Sequence, residues 1–171
     1  MTAKIVTLTL NPALDKSTEV NHLMPEQKLR CGPMRFDAGG GGINVSKAIQ
    51  RLGGQSVAVF PAGGHNGQLL CDLLKKQGVD IKPITVKGET RENLSVLETV
   101  SHAQYRFTLP GLPISEIQAD ECLDIIKKLK PDYLVASGSL APGLPETYFE
   151  KVAIFAKKIG ARFVLDTSGA A

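Results

Sequence analysis

Phe36-Asp37-Ala38-Gly39-Gly40-Gly41-Gly42-Ile43-Asn44-Val45-Ser46 is the stretch on which the reading of this chain turns. Four consecutive glycines run straight into apolar, helix-forming sequence. Ile43, Ala48, Ile49 and Leu52 fall near one helical face, which predicts a helix starting at about Ile43 and running to Leu52. Glycine lacks a Cβ, so such a turn can adopt positive φ and bring a ligand into contact with backbone. The free N–H groups and the positive end of the helix dipole would face that turn, an arrangement suited to an anion or to hydroxyls. A flexible linker is the bland alternative, but linkers are longer, polar and mixed with serine, whereas apolar sequence flanks this turn.

Two familiar glycine loops do not fit. The dinucleotide fingerprint G-x-G-x-x-G meets Asn44 or Val45 where its third glycine belongs. The P-loop fails because no glycine-Lys-Ser/Thr follows at the required spacing. A longer pattern is met at every position: the glycines at 40–42, Asn44, Ser46, then six residues to Gly53 and nine more to Gly63. This resembles the first signature of the ribokinase-like (PfkB) carbohydrate kinases.

Length and composition set the bounds. The 171 residues suffice for one domain with a real core. Apolar residues at 43% and charged residues at 22% describe an ordinary soluble globular chain. The net charge of +3 is small, and the pairs Lys75-Lys76, Lys127-Lys128 and Lys157-Lys158 read as solvated helix faces. Aromatic content of 5% with no tryptophan argues against a base-stacking surface, so no nucleic-acid partner is expected. Cys31, Cys71 and Cys122 are scattered and odd in number, which predicts reduced thiols in a cytoplasmic protein and neither a disulfide framework nor a zinc site. Ile5–Leu10 follows no basic leader and is too short to span a bilayer, so neither an export signal nor a membrane partner is expected.

Along the chain the rhythm is that of an open parallel sheet. Ile5–Leu10 predicts a buried strand, closed by Asn11-Pro12. Asp15 follows, expected just beyond the strand's carboxyl end, where open α/β sheets bind ligands. It reads equally as an acceptor for sugar hydroxyls or as a turn aspartate. Residues 16–37 predict two short strands of a flap, at Glu19–Asn21 and Lys28–Arg30, with Lys28 and Arg30 sharing a face. Those two could reach a phosphate or simply be solvated. Strands are expected at 56–60, 79–86, 133–136 and 162–165, with helices at 68–77, 114–130 and 145–159. Residues 92–109 break the rhythm, predicting a hairpin around Ser101-His102-Ala103 whose Leu94, Val96, Phe107 and Leu109 form one apolar face. Arg91, where body meets hairpin, could fork onto a phosphate or be a surface arginine in a turn. Ser137-Gly138-Ser139 is a second small-residue loop at a strand end, able to hydrogen-bond an anion.

The resemblance extends over the whole chain. Residues 7–15, Lys28-Leu29-Arg30, Thr90-Arg91-Glu92-Asn93-Leu94, Gln104–Phe107, Ser137–Leu140 and Leu165-Asp166-Thr167-Ser168-Gly169 are similar to the phosphosugar branch of the PfkB family. The glycine quartet and Lys28-Leu29-Arg30-Cys31 most resemble the minor-type bacterial 6-phosphofructokinases. The resemblance implies an α/β ribokinase-like fold: a mostly parallel sheet with helices on both faces and a small β-sheet lid, from about 16–37 and 92–109. It implies that residues 1–171 are the N-terminal part of a single kinase domain, with the C-terminal half absent. ATP and Mg2+ are the implied cofactors and fructose 6-phosphate the implied substrate. Tagatose 6-phosphate and fructose 1-phosphate are the competing ones, and a sugar-phosphate-binding, lid-dimerising fragment is the non-enzymatic alternative. Asp15, Gly39, Gly40 and Asn44 would bind the sugar, and Arg91 and Ser139 the 6-phosphate, with Asn93 close by. Lys28 and its neighbour Arg30 would serve a regulatory nucleotide or the lid, Asp166 the magnesium network, and the lid a homodimer. The family's catalytic Gly-Ala-Gly-Asp and its Asn-x-x-Glu metal motif do not occur in these residues, so the base is expected downstream and the isolated chain is expected to be inactive.

Overall fold

Alternating strands and helices build two sheets that meet at the glycine turn. A computed structural model describes residues 3–168, so Gly169 of the last family-like stretch lies outside the described residues. The elements are β1 (Ile5–Leu8), β2 (Ala13–Val20), β3 (Arg35–Gly39), α1 (Gly41–Arg51), β4 (Ser56–Ala62), α2 (Gly64–Lys76) and β5 (Asp80–Thr85). They continue as β6 (Arg91–Glu98), β7 (Gln104–Thr108), α3 (Glu116–Leu129), β8 (Tyr133–Ser137), α4 (Tyr148–Lys158) and β9 (Arg162–Asp166).

The main sheet has the order β5-β4-β1-β8-β9, with every neighbouring pair parallel. β1 lies at its centre and is buried on both faces, Val6, Thr7 and Leu8 being at most 1% exposed. Such strands read as unbroken apolar runs because helices cover both sides. Ala58 and Phe60 of β4 face α1 and α2, packing with Ile43, Leu70 and Leu74. Val6, Leu8, Leu134 and Ala136 face the other way, onto Leu123 and Ile126 of α3 and Val152 and Ala156 of α4. α3 begins in a full capping box, Ser115 accepting from the Gln118 N–H while the Gln118 side chain accepts from the Ser115 N–H. Burial pushes the Cys122 thiol up to about 12, so that cysteine packs as an inert apolar group. All three cysteines are free. Among the described residues no helix is long and apolar enough to cross a membrane.

The second sheet has the order β3-β2-β6-β7. The hairpin expected at 92–109 is present as antiparallel β6 and β7, with Leu94 opposite Phe107 and Val96 opposite Tyr105. The other strands differ from expectation. β2 starts at Ala13, so Asp15 is neither a turn residue nor at the edge of the main sheet: it sits inside a strand, opposite Asp37 and Asn93. Pro12, which has no N–H to donate, separates β1 from β2 and lets the chain pass from one sheet to the other. No strand forms at Lys28–Arg30. That stretch is irregular, and the pairing partner of β2 is Arg35–Gly39. The apolar spacing at 28–30 was too short to compete with the longer ladder that follows it.

The helix after the glycines begins at Gly41, two residues before the apolar periodicity starts. Gly40 is the N-cap with φ of 122°, in the region that favours glycine. Gly42 is pressed onto the main sheet, where a Cβ would stand 2.6 Å from the Leu8 carbonyl oxygen and 2.7 Å from Thr9 Oγ1. The first atom is backbone of the central strand and cannot swing away, and the second accepts the Ile43 N–H. Gly42→Ala should therefore destabilise the chain by about 1–3 kcal/mol, seen as a lower urea midpoint with an unchanged slope.

Candidate functional site

The site lies at the carboxyl ends of β1 and β8, where the strand order changes direction. In open α/β sheets this switch point leaves a crevice for ligands. Asn11, just past β1, spans it. Its amide donates to Ser139 Oγ at 3.0 Å and to the Leu140 carbonyl at 3.2 Å, both beyond the end of β8. Its own carbonyl accepts from an Arg91 terminal nitrogen at 3.2 Å. One residue thus ties together the main sheet, the 137–140 loop and the first residue of β6.

Thr9 prepares the helix start. Gly40 has no side chain to cap α1, and Thr9 Oγ1 accepts from the Ile43 N–H at 2.9 Å in its place. The Asn44 N–H bonds to the Gly40 carbonyl at 2.9 Å. The signature serine, Ser46, faces inward and shares a hydroxyl contact of 2.8 Å with Thr7. Its part is to seat α1 on the central strand. Asn44, two residues earlier, is exposed.

Asp15, Arg91 and Asn93 share one face of the second sheet, being register partners or two apart. Asn93 donates its amide to Asp15 Oδ1 at 2.8 Å. Gly39 lies so close to the same carboxylate that any Cβ there would overlap it. The Arg91 guanidinium is half-buried, and its second terminal nitrogen reaches the Leu109 carbonyl at 3.4 Å. Burial pulls the Arg91 pKa below its ordinary value, and the charge of Asp15 partly restores it. It remains a cation at any working pH. Two buried atoms on this face have no hydrogen-bond partner within the protein: Arg91 Nε, a donor, and Asn93 Oδ1, an acceptor. Leaving such groups unpaired costs about 1–3 kcal/mol each.

Gly41 sits against Ser137 and Gly138, again with no room for a Cβ. Ser137 donates to Asp166 Oδ2 at 2.8 Å, and the Gly138 N–H to the Asp166 carbonyl at 2.9 Å, fixing the end of β9 beside the glycine turn. Among the described residues no group of three or more His, Cys, Asp or Glu side chains could hold a metal ion. Asp166 is an exposed hard-oxygen donor of the type magnesium accepts through one or two carboxylates plus substrate phosphates.

Contacts therefore link Asp15, Gly39, Arg91, Asn93 and Ser139 around the crevice, with Gly40 at the helix cap and Asp166 behind Gly41. Lys28 and Arg30 do not join them. They are exposed and line a surface depression with Glu19, His22, Cys31 and Thr99, so the shared strand face expected for the two is absent. Thr9, Asn11, Asp37 and Lys47 were not singled out from the sequence. Asn11 and Thr9 carried a signal, being polar residues at the end of an apolar run. Lys47 is a lysine only 7% exposed; it donates to Asp37 Oδ2 at 2.8 Å and to the Ala38 carbonyl at 2.9 Å.

The chain thus joins a parallel α/β sheet to a second sheet bearing an arginine-asparagine-aspartate face, with the glycine turn between them. The chain belongs to the pfkB family of carbohydrate kinases, whose sequence pattern it matches over residues 8–171. It is 44% identical over 168 residues to the ATP-dependent 6-phosphofructokinase isozyme 2 of Mycobacterium tuberculosis, covering 97% of this chain and 50% of the relative. The isozyme 2 of Escherichia coli K12 is 41% identical over 169 residues, covering 98% and 55%. The crystal structure of the Escherichia coli phosphofructokinase-2 in complex with potassium superposes with a TM-score of 0.93 at 40% identity, over 99% of this chain and 55% of that one. The chain thus spans about half the length of the relatives it matches.

The Asp37 carboxyl gives a pH test. Burial pushes its pKa up, but hydrogen bonds from Lys47 and Gln77, the Lys47 charge and the Ala38 N–H together hold it below its ordinary value. A depressed carboxyl contributes stability that is complete above the unfolded pKa and lost as pH falls through the folded one. Asp37→Asn should therefore be less stable than the native chain above about pH 5, and the gap should close as pH falls below about 4. Urea midpoints across that range check it.

Proposed function

We propose that these residues form the sugar-phosphate-binding half of an ATP-dependent kinase that converts fructose 6-phosphate into fructose 1,6-bisphosphate. The observation that carries this reading is the unpaired buried couple on β6. Arg91 Nε, a charged donor, and Asn93 Oδ1, an acceptor, are buried without a partner within the protein on residues of the face that holds Asp15. A phosphorylated sugar supplies what each lacks: phosphate oxygens for the guanidinium, hydroxyls for the amide oxygen and the carboxylate. The half-length resemblance to two 6-phosphofructokinases supports the choice of sugar.

In this reading Arg91 and Ser139 hold the 6-phosphate. Asp15, steadied by Asn93 and by Gly39 and Gly40, orients the hydroxyls, and Asn44 borders the sugar from the first turn of α1. ATP supplies the transferred phosphoryl group and Mg2+ its charge neutralisation, with Asp166 in the metal's network. The 1-hydroxyl gives its proton to a base outside these residues. Lys28 and Arg30 serve a regulatory nucleotide or the lid formed by the second sheet. That lid pairs with a second copy through the face bearing Phe36 and Phe107, which are 44% and 47% exposed. Exposed aromatics on a small open sheet favour a partner.

Phosphoryl transfer depends on positioning and on charge stabilisation by metal and anion hole. The 171-residue chain alone should therefore show no rate above blank in a coupled assay with ATP, Mg2+ and fructose 6-phosphate. Robust turnover by the pure chain would refute this account of where the catalytic parts lie. In a full-length protein carrying these residues, Arg91→Ala removes a buried charge-assisted contact worth about 2–5 kcal/mol. It should raise the KM for fructose 6-phosphate by about thirtyfold or more, with the ATP KM nearly unchanged, and narrow the preference over unphosphorylated fructose. Asp15→Ala should impair both sugars alike. An unchanged fructose 6-phosphate KM in Arg91→Ala would put the phosphate elsewhere.

A further inference from the structure

Asp15 and Asp37 are directly opposed in the antiparallel ladder of β2 and β3. Side chains so placed stand about 4.5–5.5 Å apart at Cβ, and like charges there repel. The two carboxylates have different surroundings. Asp15 receives the neutral amide of Asn93. Asp37 receives the Lys47 ammonium on one oxygen and the Gln77 amide, at 3.2 Å, on the other. Lys47 lies in the second turn of α1, immediately after Ser46, and reaches back across the turn Gly39-Gly40 to the strand that enters it. With its second bond to the Ala38 carbonyl it grips β3 at both backbone and side chain. The next residue, Gly39, is the one packed against Asp15.

We propose that Lys47 is a positioning residue for the sugar site: it neutralises Asp37 and clamps the glycine turn, so that the Asp15 carboxylate keeps its place for the ligand. Lys47 does this without touching substrate. Without it, Asp37 becomes an uncompensated carboxylate facing Asp15, and the end of β3 loses its tie to α1. The second sheet is then free to shift against the glycine turn, and a small misplacement of substrate-orienting groups is costly in rate or affinity.

This inference rests on the proposed sugar-phosphate reading, and the experiment separates the two. In a full-length protein carrying these residues, Lys47→Met should raise the KM for fructose 6-phosphate by about ten- to a hundredfold and leave the ATP KM within about twofold. Lys47→Arg, which keeps charge and reach, should restore most of the loss. A role confined to general stability would lower the melting temperature while leaving the sugar-phosphate KM alone. That result overturns the proposal, as does a parallel rise of both KM values or a failure of arginine to restore. Should Lys47→Met not fold, Asp37→Asn removes the ion pair together with the carboxylate that faces Asp15, so it tests the clamp alone; no faster exchange at the turn then overturns it. Amide hydrogen exchange on the 171-residue chain needs no activity. Amides from Ala38 to Ile43 should exchange about tenfold faster in Lys47→Met, or in Asp37→Asn in its stead, with α3 unaffected, and equal exchange overturns the clamp. Faster exchange in a protein whose native form phosphorylates no sugar phosphate would keep the clamp and discard the proposed substrate.

Discussion

Close approach of backbone at residues 39–42 is the constraint on which the other features depend. Each glycine of the quartet abuts a different part of the molecule. Gly39 meets the Asp15 carboxylate, Gly40 the Thr9 methyl, Gly41 the 137–138 loop, and Gly42 the Leu8 carbonyl. Those contacts belong to β2, to the segment after β1, to the end of β8 and to β1 itself. A side chain at any one position would push a sheet edge away from the others. The quartet is thus the joint at which the main sheet, the second sheet and the N-terminus of α1 come within contact distance, and flexibility accounts for only part of it.

Much of this was legible in the sequence, because it rests on local rules. The alternation of strands and helices and the hairpin at 92–109 follow from hydrophobic periodicity. The long gapped glycine pattern pointed to the family. What escaped depends on contacts between residues far apart in the chain. Asp15, following Asn-Pro, read equally as an acceptor for sugar hydroxyls beyond a strand end or as a turn aspartate, yet pairing with Asp37 and Asn93 makes it part of a strand. Lys28–Arg30 looked like a strand because nothing local forbids one, and only the ladder from Arg35 to Gly39 takes its place. Nothing local marks Lys47, a single charge within an amphipathic helix. It is buried where it meets Asp37, 10 residues away, and Asp37 in turn accepts from Gln77, 40 residues further along the chain.

The signature itself divides into inward-facing and exposed positions. Ser46 is fully buried and bonded to Thr7 and Ser56, so its hydroxyl supports the seat of α1. A buried hydroxyl kept without a partner would cost more than it contributes, and here each of the three supplies the next. Asn44, exposed at the same helix end, has no such duty in the fold. The pattern asparagine-x-serine therefore leaves one polar group exposed and locks the other inward, on residues that differ by two positions and so by about 200° around the helix.

The same division appears in the paired carboxylates, and it explains how one sheet face can present charge without instability. Two aspartates opposed on neighbouring strands would ordinarily repel. One of them is held below its usual pKa by a buried ammonium and a side-chain amide; the other is met by an asparagine that donates a single hydrogen bond and leaves the rest of its acceptor capacity uncommitted to that residue. Arg91 supplies the compensating charge for Asp15 from the same face. Because that guanidinium is half-buried and already engaged by two backbone carbonyls, its orientation is set before any ligand arrives. Preorganised charge of this kind does not have to be reoriented at the moment of binding. The fold therefore spends one ion pair, Lys47 with Asp37, on the joint, and keeps the second opposite-charge couple, Arg91 with Asp15, available at the crevice.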